Sequence, residues 1–142
     1  MKHTLAFVCL LSFLCTPLSS ALADKGFSVK DVRGNYGFSF QGEILGVGPV
    51  AAVGRMTADG KGNITNAVRT ITLSGIPVAE TFTCTITVNP DGTGSAVCPL
   101  DDPAPGAPPV ETFDFVLEDK ARAFRLVGTT EGIVVVGSGR EQ

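Results

Sequence analysis

Residues 81–100 consist of two alternating arms around a turn, and they constrain the fold more than any other stretch of the chain. In the first arm, threonines at every second position alternate with the apolar residues Phe82, Cys84, Ile86 and Val88, which is typical of a half-buried strand. The segment 89–92, Asn-Pro-Asp-Gly, contains the residues of a tight turn, since proline fixes φ and glycine accepts a positive φ. We therefore predict a β-hairpin.

The two cysteines of this hairpin face each other if Val88 pairs with Gly94 across the turn. In that register Cys84 lies directly opposite Cys98. Opposite residues of an antiparallel pair have Cα atoms about 4.5 to 5.5 Å apart, which is within reach of a disulfide. The spacing predicts a cross-strand disulfide between Cys84 and Cys98.

Residues 1–23 have the pattern of a cleaved signal peptide. Lys2 and His3 precede an apolar run, and the segment 21–23, Ala-Leu-Ala, fits a cleavage site. The apolar run is too short for a membrane span. Cleavage removes Cys9 and Cys15 and leaves one even pair of cysteines, as expected in an oxidising compartment. We predict an exported protein, either periplasmic or secreted into the medium.

The remaining residues 24–142 are predicted to form one domain, whose composition excludes several classes of function. Loss of Lys2 leaves 10 of the 11 basic residues against 14 acidic ones, so binding of nucleic acid or anionic lipid is not expected. The single histidine, His3, leaves with the signal peptide. With both remaining cysteines oxidised, no Ser-His, Cys-His or His-metal site can form. We predict no cofactor, no metal and no catalytic residue, and we favour a function other than catalysis.

Five acidic residues of this domain are assigned to turns and to the outer surface. Asp101 and Asp102 lie in a proline-rich loop, and Glu118 and Asp119 lie at a turn. Asp114 alternates with two phenylalanines and is expected to face outward.

Eight segments have strand patterns, with short connections and no amphipathic helix between them. They lie at 35–44, 50–58, 63–73, two within 81–100, 110–118, 122–129 and 133–140. Alternation in the third is imperfect, which indicates a bulge or burial on both faces. Eight consecutive short strands favour an all-β, antiparallel up-and-down barrel, in which closure removes both sheet edges. A β-sandwich is the alternative.

An aromatic set is predicted to converge inside the barrel, and it is the candidate ligand-binding site: Tyr36, Phe38, Phe40, Phe82, Phe113, Phe115 and Phe124. Eight-stranded barrels are either filled by side chains or hold one small ligand. Glycines and alanines at 42, 52, 54, 58, 96, 128, 137 and 139 are expected to leave volume unfilled. Four arginines, at 55, 69, 125 and 140, are expected either at a barrel mouth or on the surface.

The opening Gly34-Asn35-Tyr36, the eight strands and Arg140 near the end of the last strand resemble the calycin type of barrel, which includes lipocalins and avidins. Tyr36 stands where those families have tryptophan, and no helix follows strand eight. Across most of residues 24–142 the chain resembles a group of uncharacterised small secreted bacterial proteins. Shared features include GNYGFSFQGEI and the VNPDGTG hairpin. This resemblance implies a barrel shaped like avidin or allene oxide cyclase, and no catalytic residues.

Three functions remain open from the sequence. The first is a barrel that binds a small apolar or amphipathic ligand in its interior. The second is a structural or protein-interaction module of the cell envelope. The third, an isomerase or cyclase, rests on barrel shape alone and requires a carboxylate or Tyr36 to reach into a cavity.

Overall fold

Eight antiparallel strands account for most of the chain in the computed structural model, which describes residues 26–142. The strands are β1 (Arg33–Ile44), β2 (Gly48–Asp59), β3 (Asn63–Leu73), β4 (Ile76–Val88), β5 (Thr93–Pro99), β6 (Val110–Glu118), β7 (Ala123–Gly128) and β8 (Ile133–Glu141). Two short 3₁₀ turns, Val29–Asp31 and Asp119–Ala121, lie outside the strands. The predicted signal peptide at 1–23 lies outside the described residues.

The sheet closes into a barrel because β1 pairs with both β2 and β8. Phe40, for example, lies opposite Ala52 on one side and Gly137 on the other. Each strand otherwise pairs with its neighbours in the chain. The predicted up-and-down barrel is confirmed, and the sandwich alternative is excluded.

The β4–β5 hairpin has the register predicted from its turn. Val88 lies opposite Gly94, and the Asp91 carboxylate accepts hydrogen bonds from the amide and hydroxyl of Thr93. The predicted disulfide is present, with the Cα atoms of Cys84 and Cys98 4.1 Å apart. Both cysteines are buried on the inner face.

Two strand features depart from simple alternation. Strand β4 begins five residues earlier than the hairpin arm predicted, and it includes Pro77. Proline is tolerated there because this part of β4 pairs with β3 alone, with Pro77 opposite Thr72, and β4 pairs with β5 only from Thr85 onward. In β3 the register shifts between Ile64 and Ala67, where Asn66 has a φ of 50°. This is the predicted bulge, and Val68 on the outer face is exposed.

The two ends of the barrel are covered by different segments. We call the end at which β1 begins the lead-in end and the opposite end the loop end. At the lead-in end, residues 26–32 pass across the strand ends, and the amide of Phe27 donates a hydrogen bond to the carbonyl of Pro90. At the loop end, the proline-rich segment 100–109 folds over the wall and buries Ala104. Within residues 26–142 there is no helix long and apolar enough to cross a membrane.

Candidate ligand cavity

An apolar cavity of about 80 Å³ lies inside the barrel, between its middle and the lead-in end. Its walls are the inward-facing positions of seven strands, β1 to β7, together with Val32. Alternation explains this arrangement, since every second side chain of each strand points into the barrel. The lining residues are Val32, Phe38, Phe40, Met56, Ile64, Arg69, Phe82, Cys84, Ile86, Ala96, Cys98, Phe113, Phe115, Leu117, Phe124 and Leu126.

Six of the seven aromatic residues predicted in the interior line this cavity, all of them phenylalanines. Phe38 packs edge-on against Phe82, with ring centroids 6.1 Å apart, and Phe40 lies 6.3 Å from Phe113. These centroid distances are within the range that favours aromatic pairs. Four of the rings therefore pack in pairs, and the six phenylalanines are the most frequent residue type in the cavity wall.

Tyr36, the seventh predicted residue, is buried but does not line the cavity. Its hydroxyl donates a 2.7 Å hydrogen bond to the carbonyl of Ala121, which joins β1 to the turn between β6 and β7. Burial, with a smaller effect of Glu141, raises the pKa of this phenol. Tyr36 thus closes the lead-in end of the barrel.

The prediction that small residues leave unfilled volume is wrong for several glycines. The rings of Phe38 and Phe124 lie directly over Gly54 and Gly139, where a Cβ atom would collide with them. Gly42 allows close approach of the β8 backbone at Val134. These glycines therefore make room for aromatic rings and for strand contact. Ala96, by contrast, does border the cavity.

Val32 separates the cavity from the lead-in end. It is the one lining residue outside the strands, it is 6% exposed, and it follows the 3₁₀ turn Val29–Asp31. Ser28 and Asp31 brace that turn through a reciprocal capping arrangement. The lead-in segment, residues 26–32, therefore covers this end of the barrel, and its apolar residue Val32 contacts the cavity. We call this segment the plug.

A cluster of three charged side chains is buried toward the loop end of the barrel: Arg69 of β3, Glu80 of β4 and Glu111 of β6. Each residue is 4% exposed. The Arg69 guanidinium donates to Glu111 through Nη1 and Nη2, at 2.6 and 2.8 Å, and to Glu80 through Nε at 2.6 Å. The other Glu80 oxygen accepts the amide of Ala104 at 3.0 Å. All buried side-chain polar atoms among the described residues have partners.

Two aromatic rings complete the environment of Arg69. Its guanidinium carbon lies 5.4 Å from the ring centroid of Phe40 and 5.3 Å from that of Phe82, within the range of cation–π attraction. Burial alone would lower the pKa of Arg69, but its hydrogen bonds and charge attraction to Glu111 and Glu80 raise it. The guanidinium is therefore held as a cation beside the apolar cavity.

The sequence interpretation missed this cluster, although its signal was present. Arg69 is in phase with Ile71, Glu80 with Phe82 and Glu111 with Phe113, so period-two alternation directs all three inward. Arg69 was expected at a mouth or on the surface, and its burial corrects the surface alternative. The other three candidate arginines, Arg55, Arg125 and Arg140, are exposed.

The acidic residues assigned to turns and the surface lie there in the structure. Asp114 is exposed on β6. Asp119 pairs with Arg122 and Arg140 at 2.7 and 3.1 Å, and the hydrogen bond from Arg122 lowers the pKa of Asp119. The 101–102 pair is exposed, and Thr81 donates to the Asp101 carboxylate. The contacts of Asp101 and Asp119 are therefore local contacts of the surface and turns.

The polar and charged side chains near the cavity have partners within the protein. Within residues 26–142 no group of three His, Cys, Asp or Glu side chains is arranged to hold a metal ion. The carboxylates of Glu80 and Glu111 are turned toward Arg69, and the Tyr36 hydroxyl is turned toward Ala121. The cavity wall can exclude water and contact an apolar molecule.

These features define a closed, eight-stranded antiparallel β-barrel with an aromatic interior cavity and a buried charged cluster. Comparisons with protein-family models, with curated proteins and with solved structures found no match. The barrel shape agrees with the calycin-like expectation from the sequence. Membership of a particular family stays a prediction.

Proposed function

We propose that this protein is an exported, non-enzymatic barrel that binds a small apolar molecule in its interior. The observation that carries the proposal is the apolar cavity of about 80 Å³, whose lining includes six phenylalanines. Interiors are normally packed with few voids larger than a water molecule. A void of this size is therefore a reason to expect a bound small molecule, which we call the guest.

The size and lining of the cavity indicate what that guest would be. Empty apolar cavities stay dry, and one of about 150 Å³ takes benzene or xenon. The cavity here is about half that size, so it suits a guest of a few heavy atoms. A larger guest requires displacement of the plug at Val32, which is the lining residue not fixed by strand pairing.

Export is part of the proposal, and the disulfide supports it. Disulfides persist in oxidising compartments and are rare in the cytosol. The Cys84–Cys98 bond lies on the cavity wall, so oxidation also fixes part of the proposed site. We propose the periplasm or the external medium as the place of action.

Native mass spectrometry of the oxidised protein, purified from its own compartment, tests the proposal. We expect a small-molecule adduct that solvent extraction removes and that re-forms when the extract is returned. Protein that stays at its bare mass before extraction, and after exposure to a panel of small apolar compounds, would contradict interior binding.

A second function, an interaction module of the cell envelope, is favoured by one surface feature. Val127 of β7 and Val136 of β8 are paired neighbours on the outer face, and Val134 lies two residues before Val136 in β8. These valines are 46%, 57% and 62% exposed. Apolar side chains grouped on an outer wall suit contact with a protein partner. A negative result for ligands would move the search to this surface.

A further inference from the structure

We propose that Glu80 and Glu111 make the cavity selective against anions, so that its ligand carries no negative charge. This inference rests on the proposed function and names the class of molecule bound. It concerns Arg69, which is the cationic residue on the cavity wall. A buried guanidinium is ordinarily a suitable anchor for a carboxylate.

The two edges through which the Arg69 guanidinium could bind a carboxylate at two points are already occupied. Glu111 accepts hydrogen bonds from Nη1 and Nη2 of Arg69, one on each carboxylate oxygen. Glu80 accepts a hydrogen bond from Nε and lies 2.5 Å from Nη2. An incoming carboxylate would have to displace one of these partners. Displacement is costly because the side chains of Glu80 and Glu111 are only 0% and 5% exposed and would lose their main partner within the protein.

The guanidinium carbon also lies over the rings of Phe40 and Phe82. Both edges that could bind a carboxylate at two points are therefore occupied, and an anionic group would have to compete with these partners. Glu80 is further held by the amide of Ala104, so its carboxylate is fixed from two directions. Moving Glu80 away from Arg69 would also break its hydrogen bond to Ala104.

The net charge of the cluster also disfavours binding of an anion. It has two carboxylates for one guanidinium. The negative charge of a bound anion would add to this excess of negative charge. Repulsion between buried charges is strong because little solvent screens them. An uncharged ligand meets neither this repulsion nor the need to displace a partner of Arg69.

Isobutanol and isobutyrate test the inference, since they share a small branched carbon skeleton and differ in charge. Binding of each to the oxidised protein at neutral pH is measured by ligand-observed NMR titration. We expect isobutyrate to bind at least tenfold more weakly than isobutanol to the wild type. Since an apolar wall disfavours any carboxylate, variants of the cluster are needed to assign the cause.

Glu111→Gln keeps the shape of the side chain and removes one charge. We expect isobutyrate affinity to rise about tenfold in this variant while isobutanol affinity stays the same. Glu80→Gln, which can still accept the Ala104 amide, is the second variant and covers the case in which Glu111→Gln does not fold. Glu43→Gln, at an exposed position of β1, is the matched control and should change neither affinity.

The outcomes separate this inference from the proposed function. Equal binding of the two ligands to the wild type, or a penalty for isobutyrate that both cluster variants leave unchanged, would overturn anion exclusion while interior binding stands. Failure of both ligands to bind, together with protein at its bare mass in the native spectrum, would overturn the two proposals together.

Discussion

Arg69 is the residue whose replacement should affect stability most, because it alone balances two buried carboxylates. Breaking a buried ion pair by removing one partner costs about 3–5 kcal/mol. We therefore expect Arg69→Met to lower the free energy of unfolding by that amount, as measured by urea denaturation. Replacing a whole buried cluster with apolar groups is often neutral.

The triple variant Arg69→Met, Glu80→Gln, Glu111→Leu is the control for this prediction. It removes all three charges and keeps an acceptor for the amide of Ala104. We expect it to recover most of the stability lost in the single variant. A triple variant as unstable as Arg69→Met would show that packing of the arginine, and not charge balance, is the source of the loss.

Tyr36 offers a second prediction at the scale of a residue. Burial raises the pKa of its phenol, so the folded state favours the neutral form. Its contribution to stability is thus present below the ordinary pKa of tyrosine, about 10, and is lost as the pH rises through the higher folded value. The chain has one tyrosine and no tryptophan, so the rise in near-ultraviolet absorbance on ionisation of a phenol reports this group alone.

Absorbance of the folded protein should give a titration midpoint above the ordinary value, and Tyr36→Phe should remove that part of the alkaline loss of stability. The same variant leaves the Ala121 carbonyl without its hydroxyl partner, at an expected cost of about 1–3 kcal/mol at neutral pH. A midpoint at or below the ordinary value would contradict the buried, hydrogen-bonded phenol.

At the scale of elements, the β4–β5 hairpin joins the turn 89–92 to the disulfide across the cavity wall. A disulfide closing a loop of about 15 residues contributes about 3 kcal/mol, and here the cysteines are 14 residues apart. We expect Cys84→Ala with Cys98→Ala to lower the free energy of unfolding by about that amount in urea. Thr83→Ala, exposed on the same strand, should change it little. A loss below about 1 kcal/mol would contradict a stabilising role for the bond.

The elements that sequence predicted best are those with clear turn chemistry at both ends. Strands β3 and β6 have the bounds expected, and the register of β4–β5 followed from one turn. The start of β4 was missed because Pro77 reads as a breaker unless one strand edge is known to lack a partner. The charged cluster was missed because charge suggests exposure, whereas the positions of Arg69, Glu80 and Glu111 in the alternation indicate burial.

At the scale of the whole molecule, the number of strands was enough to favour a closed barrel, but the size of the cavity could not be predicted from the sequence. That size depends on ring orientations, as at Phe38 over Gly54, which sequence does not specify. The burial of Val32 was not predicted either, since residues 24–33 are polar and mixed and indicate no more than a lead-in with one helical turn. Its burial depends on where the barrel end lies relative to the lead-in segment.

Val32→Ala tests how the plug limits the guest. Removing two methyl groups from the cavity wall should enlarge it and strengthen benzene binding by about tenfold, since benzene needs more room than the wild-type cavity provides. Isothermal titration of benzene measures the change. Val53→Ala, on the exposed outer face, is the control. Equal benzene affinity in wild type and Val32→Ala would contradict the assignment of Val32 as the limiting residue.

The central claim, a dry apolar cavity accessible to small guests, is tested most directly by methyl NMR of the oxidised protein under xenon pressure. We predict saturable shifts for the methyl groups of Ile64, Ile86 and Leu117, which line the cavity. The exposed methyl groups of Val134 should show only weak, linear shifts. Linear shifts of similar size at all of these positions would contradict the claim, because they would mean that xenon finds no enclosed site within the barrel.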